Sequence, residues 1–367
     1  MIFRIEPGAL VGRDLMRSRI LRAAALASVV VPLGCTQDPL THMDFDVSAN
    51  SAMTGSGGSG ATTGGASSMG SAGDSNGSGG SSSNIDARPA TDGLTAGCGL
   101  DPNQAPNGKY VQYHLTTTGP DLDTTNQPKV RTREYWVRLP IGYDQTTANR
   151  VIYLGPGCGG SQASGNIDIF NASGNNAIVV SMIPLPEFGQ CFDERANSIE
   201  FTFFDALHKW VEANYCVDTA RQFYAGFSTG ARLGYLLGCQ FPDVLRATGT
   251  IQGGLMGLPV CKQHPSAGIY AADTMETGNP YQQNVMAAQS RLMQNGCTST
   301  ASPMACGAAC SPWDGMTTVP LPSTMTCVKY NGCPAEYPVV FCTKMLGIHT
   351  PDEPWSDQAF WNFFKQF

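Results

Sequence analysis

The chain has 367 residues, with 22 Lys and Arg against 29 Asp and Glu, a formal net charge of −7. No basic stripe or Arg-rich run interrupts it, so no nucleic-acid partner is expected. Charged residues make up only 14%, and Gly, Ser and Thr carry much of the polarity, which suits an exported protein.

The N-terminus has the pattern of an export signal over residues 1–35. Met16-Arg17-Ser18-Arg19 and Arg22 form a basic region. The apolar run from Ala23 to Gly34 is too short to span a bilayer. It ends in Val31-Pro32-Leu33-Gly34-Cys35, which resembles a bacterial lipobox and makes Cys35 the candidate lipidation site. A secretory signal cleaved nearby is the alternative. Contact with a membrane is expected only through such an anchor. Residues 36–96 read as a tether. Ser48 to Ser83 is mainly Gly, Ser, Ala, Thr and Asn, too poor in apolar surface to offset its ordering entropy. A Gly/Ser coil of about 60 residues reaches roughly 45 Å.

Residues 97–367 carry the globular part, expected to act as a monomer. Arg133 to Pro140 alternates like a strand, and Val151 to Leu154 is a short buried strand that ends at Gly155-Pro156-Gly157-Cys158-Gly159-Gly160. Ala177 to Ile183 is another apolar, β-branched run. Asn197 with Glu200 three residues on marks a helix start, and that helix runs to about Tyr215. Arg221 to Ala225 is strand-like and Ala231 to Gly238 helix-like, with Pro242 helping to end the helix. Ala247 to Ile251 and Gly268 to Ala272 read as strands, Gln282 to Asn295 as a helix and Val339 to Met345 as a strand. Ser356 caps a final helix to Phe367. The alternation predicts an α/β fold, a central and mostly parallel sheet flanked by helices.

The chain has 13 cysteines, and the twelve from Cys98 onward form an even set that suggests several disulfides in an oxidising compartment. Cys306 with Cys310 and Cys327 with Cys333 could also be read as metal ligands. No histidine lies near them, and neither spacing is that of a zinc knuckle. Disulfides are favoured, no metal or organic cofactor is expected, and the connectivity stays open.

Gly226-Phe227-Ser228-Thr229-Gly230 reads G-x-S-x-G, the nucleophile elbow of serine hydrolases. Gly73-Asp74-Ser75-Asn76-Gly77 matches the same pattern, but inside a Gly/Ser tract with no apolar run on either side. Only Ser228 follows a strand and precedes a helix, the setting that lifts a hydroxyl out of a sheet. A serine hydroxyl then needs an imidazole to take its proton and a carboxylate to orient the imidazole. In an α/β-hydrolase these follow in the order Ser, acid, His. Of His42, His114, His208, His264 and His349, only the last two follow Ser228. His264 precedes every acid at a plausible strand end, so His349 is the candidate base. Asp273 ends a strand about one βα unit after the nucleophile and is the candidate acid, with Glu276 as runner-up. Asp243, Asp314 and Glu336 are less well placed. The backbone N–H groups of Thr229 and Cys158 are the candidate oxyanion hole. Trp313 and Trp355 are candidate substrate-binding residues, with packing of the cysteine-rich insert as the other reading.

At this point the globular part resembles the secreted esterases grouped with polyhydroxybutyrate depolymerases, feruloyl esterases and acetylxylan esterases of carbohydrate esterase family 1. Tyr135 to Asp144, Gly157-Cys158-Gly159-Gly160 and above all Val217 to Gly230 carry the resemblance, with Cys239, Pro242, Asp243, Asn295-Gly296-Cys297 and His349 completing it. It implies an α/β-hydrolase acting on carboxylic esters and a Cys239–Cys261 disulfide. Two departures stand out. Pro156 occupies a position where the family usually carries His, and the family's His-Gly and Val-Pro around its Asp are absent near Asp273. The expected function is a secreted or surface-tethered serine esterase for feruloyl or acetyl polysaccharide esters or short polyhydroxyalkanoates. A tethered binding protein on a hydrolase scaffold is the alternative.

Overall fold

The structure is a computed structural model that describes residues 94–102, 108–120, 127–160, 167–195, 197–255, 261–313, 315, 324–351 and 355–367. All lie in the compact unit Ser81–Phe367. The signal segment, Cys35 and all but the end of the tether lie outside the described residues. Leu94 already bridges Asp218, and the Thr95 hydroxyl donates to the Tyr215 carbonyl at 2.8 Å. The described structure thus starts at Leu94, already tied to the strand Val217–Phe227.

Among the described residues, ten strands form one sheet: β1 (Tyr110–Pro120), β2 (Pro128–Arg138), β3 (Asn149–Gly155), β4 (Ala177–Met182), β5 (Val217–Phe227), β6 (Ala247–Ile251), β7 (Ala267–Asp273), β8 (Cys310–Pro312), β9 (Met325–Tyr330) and β10 (Val339–Lys344). The helices are α1 (Ile169–Ala172), α2 (Glu200–Asn214), α3 (Thr229–Gln240), α4 (Tyr281–Gln294) and α5 (Trp355–Phe364). The strand order is β1-β2-β4-β3-β5-β6-β7-β10-β9-β8. The six central strands β4-β3-β5-β6-β7-β10 are parallel, and an antiparallel pair closes each side. This is the sheet of an α/β-hydrolase.

Helices cover both faces because the central strands are apolar on both sides. Along β5, Phe223, Ala225 and Phe227 face a cluster with Trp355, Phe360, Phe363 and Phe364 of α5. Tyr224 faces the opposite cluster with Phe203, Phe204 and Leu207 of α2 and Leu233 and Leu237 of α3. The Arg133–Glu200 ion pair, 2.6 Å and fully buried, ties β2 to α2. Burial pushes the Glu200 carboxyl above its usual range, and Arg133 opposes that shift. The connection β3-α1-β4 lies on one face and β4-α2-β5 on the other. The chain thus reverses direction across the sheet at β3 and β5. In open α/β sheets the crevice at the C-terminal ends of such strands is where ligands bind.

Six disulfides join Cys98–Cys216, Cys158–Cys191, Cys239–Cys261, Cys297–Cys333, Cys306–Cys310 and Cys327–Cys342. They use all twelve cysteines from Cys98 onward, so neither Cys306/Cys310 nor Cys327/Cys333 offers thiolates to a metal. Cys327 reaches across β9 and β10 to Cys342, its register partner.

Candidate active site

The elbow is built from glycines that let backbone touch backbone. Ser228 follows β5 with φ 57° and ψ −121°, a left-handed conformation that costs a non-glycine residue about 1–3 kcal/mol. Surrounding contacts hold it there. Its N–H donates to the Ile251 carbonyl at 3.1 Å, and its carbonyl accepts from Arg232 N–H at 3.1 Å. A Cβ on Gly226 would lie 2.4 Å from the Gly230 carbonyl oxygen, and one on Gly230 would lie 1.9 Å from that of Gly155. No side chain fits at either end of the motif.

His349 Nε2 lies 2.9 Å from Ser228 Oγ. On the other side of the ring, Nδ1 lies 2.9 Å from Glu276 Oε1. That pattern assigns the proton to Nδ1, which donates to the carboxylate, and leaves Nε2 to accept from Ser228. Phe227 packs against the imidazole with ring centroids 4.7 Å apart. Glu276 is 6% exposed, and its Oε2 is buried with no hydrogen-bond partner among the described residues.

The structure brings Glu276, the runner-up, to the imidazole in place of Asp273. Asp273 is the last residue of β7, in register with Lys344. Its Oδ2 accepts Leu346 N–H at 3.0 Å and Gly347 N–H at 2.9 Å, and its Oδ1 accepts Met275 N–H at 2.8 Å. It holds the base of the loop that carries His349. Glu276 stands three residues beyond the strand, where the chain has turned over the edge. Gln252, fully buried after β6, also braces this loop by donating to the Ile348 carbonyl at 2.9 Å.

Asn279 and Arg232 extend the series. Asn279 donates to Glu276 Oε1 from its backbone N–H at 2.9 Å and from Nδ2 at 3.3 Å. Its Oδ1 accepts from Arg232, whose other terminal nitrogen pairs with Glu194. Arg232 thereby sets the Asn279 amide so that its donors face the carboxylate. Neither residue is singled out by a sequence motif. Arg232 stands one turn after the nucleophile, which is the one signal that could have drawn attention to it. Replacing Arg232 with Met frees the Asn279 amide to rotate. We expect kcat to fall about 10- to 100-fold with KM little changed, measured on whichever ester the wild type hydrolyses. An unchanged kcat would remove Arg232 from the site.

Gly157 passes directly over the serine: a Cβ on it would sit 3.2 Å from Ser228 Cβ. The Pro156 ring lies inside the same turn, where a Cβ on Gly160 would come within 2.4 Å of Pro156 Cβ. Proline here braces the loop by packing. Cys158 Sγ lies 3.7 Å from Thr229 Oγ1, and the Cys158–Cys191 disulfide ties the loop to the following segment. Thr229 is the first residue of α3, so its N–H has no acceptor within the helix. The positive end of the helix dipole points at the serine. Gly157 and Thr229 thus flank Ser228, and Cys158 meets Thr229 through its side chain.

Trp313 and Trp355 are both largely buried. They are 6% and 3% exposed and belong to the core beneath α5, with Trp313 packed on Phe363 at 6.4 Å. Trp355 opens the buried stripe of α5, so its ring is committed to packing. His264 pairs with Asp243 at 2.7 Å on the surface, and His208 lies on α2 between Asp205 and Glu212.

Comparison with known proteins places these parts in a context. No protein-family model matches the chain. Feruloyl esterase D of Neurospora crassa is 24% identical over 290 residues, which is 74% of this chain and 90% of that protein. Feruloyl esterase C of Emericella nidulans is 25% identical over 181 residues, 48% of this chain and 67% of that protein. Among solved structures, a ferulic acid esterase matches with a TM-score of 0.43 and 15% identity, over 71% of this chain and 98% of that one. The strand order and elbow described above, rather than that score, carry the fold. The chain thus has the fold of an α/β-hydrolase, and in sequence it is similar to feruloyl esterases.

Proposed function

We propose that the protein is an exported serine esterase that hydrolyses feruloyl or related carboxylic esters through Ser228, His349 and Glu276. The observation that carries this reading is the hydrogen-bonded series from Ser228 Oγ through both imidazole nitrogens to a buried carboxylate. Ser228 Oγ attacks the ester carbonyl while its proton passes to His349 Nε2. Glu276 stabilises the imidazolium by holding Nδ1–H. Charge developing on the carbonyl oxygen is met by the N–H groups of Thr229 and Cys158, each worth roughly 3 kcal/mol or more. Collapse of the intermediate breaks the bond to the alcohol, which takes the proton from Nε2. Water then enters by the same route, giving its proton to His349 and releasing the acid from Ser228.

The names of the sequence relatives favour a feruloyl acyl group over the acetyl and hydroxyalkanoate alternatives. Six disulfides fit an oxidising compartment. On this reading a lipid at Cys35 and the Gly/Ser tether would hold the domain clear of a cell surface. A fluorophosphonate probe, followed by hydrolysis of methyl ferulate and of p-nitrophenyl esters of graded chain length, tests the proposal. We expect covalent labelling of the wild type and faster turnover of methyl ferulate than of long alkyl esters. If the protein neither labels nor turns over any ester while a known esterase does both, a binding protein on a hydrolase scaffold takes the place of this reading.

A further inference from the structure

The β1–β2 hairpin runs past the rest of the sheet. Only Tyr135 to Arg138 of β2 pair with β4, and the pairing is antiparallel, with Tyr135 opposite Met182. Residues 128–134 and their β1 partners therefore project beyond the C-terminal ends of the parallel strands, the same edge that carries Ser228. One face of this projection shows His114, Thr132 and Glu134, with His114 and Glu134 directly opposite each other. The chain leaving β4, Ile183-Pro184-Leu185-Pro186, runs beside them, and Gln190 and Gly160 complete a cavity of about 370 Å³. That size lies within the range of small-molecule sites, roughly 300–1,000 Å³.

The cavity shares a wall with the catalytic centre. Gly160 N–H donates to the Gly157 carbonyl at 3.1 Å, and the Gln190 carbonyl accepts Gly159 N–H at 2.9 Å. Gly157, Gly159 and Gly160 are parts of the loop that crosses Ser228, and Gln190 is bonded to it. A ligand in the cavity would thus lie just across the oxyanion loop from the nucleophile.

Its lining is mixed in a specific way. Ile183, Pro184, Leu185 and Pro186 offer an apolar wall, and an imidazole, a hydroxyl, a carboxylate and an amide offer donors and acceptors. Sugar rings have that same division, with C–H faces and hydroxyl edges. Glu134 is held in place by Trp136, whose indole N–H donates to Oε1 at 2.8 Å. Among the described residues, no Lys or Arg lines the cavity. The nearby Lys129 and Arg131 are engaged with Glu187 at 2.9 and 2.5 Å. A carboxylate without a facing cation disfavours an anionic ligand.

We propose that this cavity is a secondary binding site for the neutral saccharide that carries the ester, an inference that rests on the esterase reading above. The test compares a feruloylated xylotriose with methyl ferulate in the wild type, Thr132→Arg and His114→Ala. Thr132 is an exposed strand residue, so an arginine there fills the cavity without entering the core. We expect KM for the saccharide ester to rise about tenfold in Thr132→Arg, with methyl ferulate unchanged within about twofold. Parallel changes on both esters, or none on either, would overturn the site. If the wild type hydrolyses neither ester, the esterase reading is what fails. Calorimetry with unesterified xylotriose then reads the cavity directly. Saturable binding abolished by Thr132→Arg retains the site, and absent binding removes it. Trigalacturonate binding as tightly as xylotriose would overturn the choice of a neutral ligand.

Discussion

Glu276→Gln is expected to lower kcat on methyl ferulate by about 10³- to 10⁴-fold, and Asp273→Asn by less than about tenfold. The difference follows from what each carboxylate touches. Glu276 Oε1 holds the imidazole Nδ1 at 2.9 Å. A glutamine of the same shape removes the charge that stabilises the imidazolium and no longer favours the tautomer in which Nε2 accepts from Ser228. Asp273 binds three backbone N–H groups. Asparagine keeps one acceptor oxygen and places an amide donor against N–H groups. We therefore expect a stability loss of about 1–3 kcal/mol in Asp273→Asn and a slightly looser His349 loop. Steady-state kinetics and thermal melts on the two variants separate these effects. A 10³-fold or greater loss in Asp273→Asn beside a mild Glu276→Gln would return the catalytic role to Asp273.

The second large effect is at the nucleophile. Ser228→Ala is expected to lower kcat by about 10⁶-fold and to abolish fluorophosphonate labelling. The fold should persist, because Ser228 Oγ contacts His349 and the backbone at 228 is held by Ile251 and Arg232. Ser75→Ala, at the other G-x-S-x-G match, should label like the wild type. Labelling that survived Ser228→Ala would move the nucleophile elsewhere.

The parallel core was legible because burial on both faces leaves little choice of residue. β3, β4, β6, β7 and β10 are short, almost wholly buried strands rich in apolar and β-branched residues, and their observed bounds lie within a residue or two of the expected ones. β1 gave no such signal. Gln112, His114, Thr116 and Thr118 face solvent, and Thr-rich alternation without a strong apolar partner reads as loop. β8 and β9 are short and sit in the cysteine-rich insert, where disulfides do part of the work of apolar burial. The α2 start also shifted. Asn197 was expected to cap the helix, but Asp193 Oδ2 accepts Ile199 N–H at 3.0 Å and Ser198 Oγ accepts Glu200 N–H at 3.1 Å.

The site was legible in proportion to its chemistry. Ser228 stood out because a nucleophile elbow needs a strand, a turn and a helix around it, and the structure has β5 and α3 on either side of it. Chain order was enough to pick His349, which the structure brings to Ser228. The acid is harder, because only its distance to the imidazole matters, and a residue three places past a strand can span that distance better than the strand's own end. The tryptophans show the opposite difficulty. Trp355, Ala359, Phe360 and Phe363 have helical spacing and are all buried. That stripe was readable, and it puts Trp355 on the buried side of α5.

The backbone at Ser228 also bears on how such a protein could change over generations. Its φ of 57° and ψ of −121° suit glycine better than serine. A lineage that abandoned hydrolysis and kept only binding would gain stability by exchanging this serine for glycine, since nothing would then reward the strain. Among descendants of this fold, the residue at the elbow is therefore a record of selection: serine persists where turnover is still under test, and glycine is the form to which an idle elbow should drift.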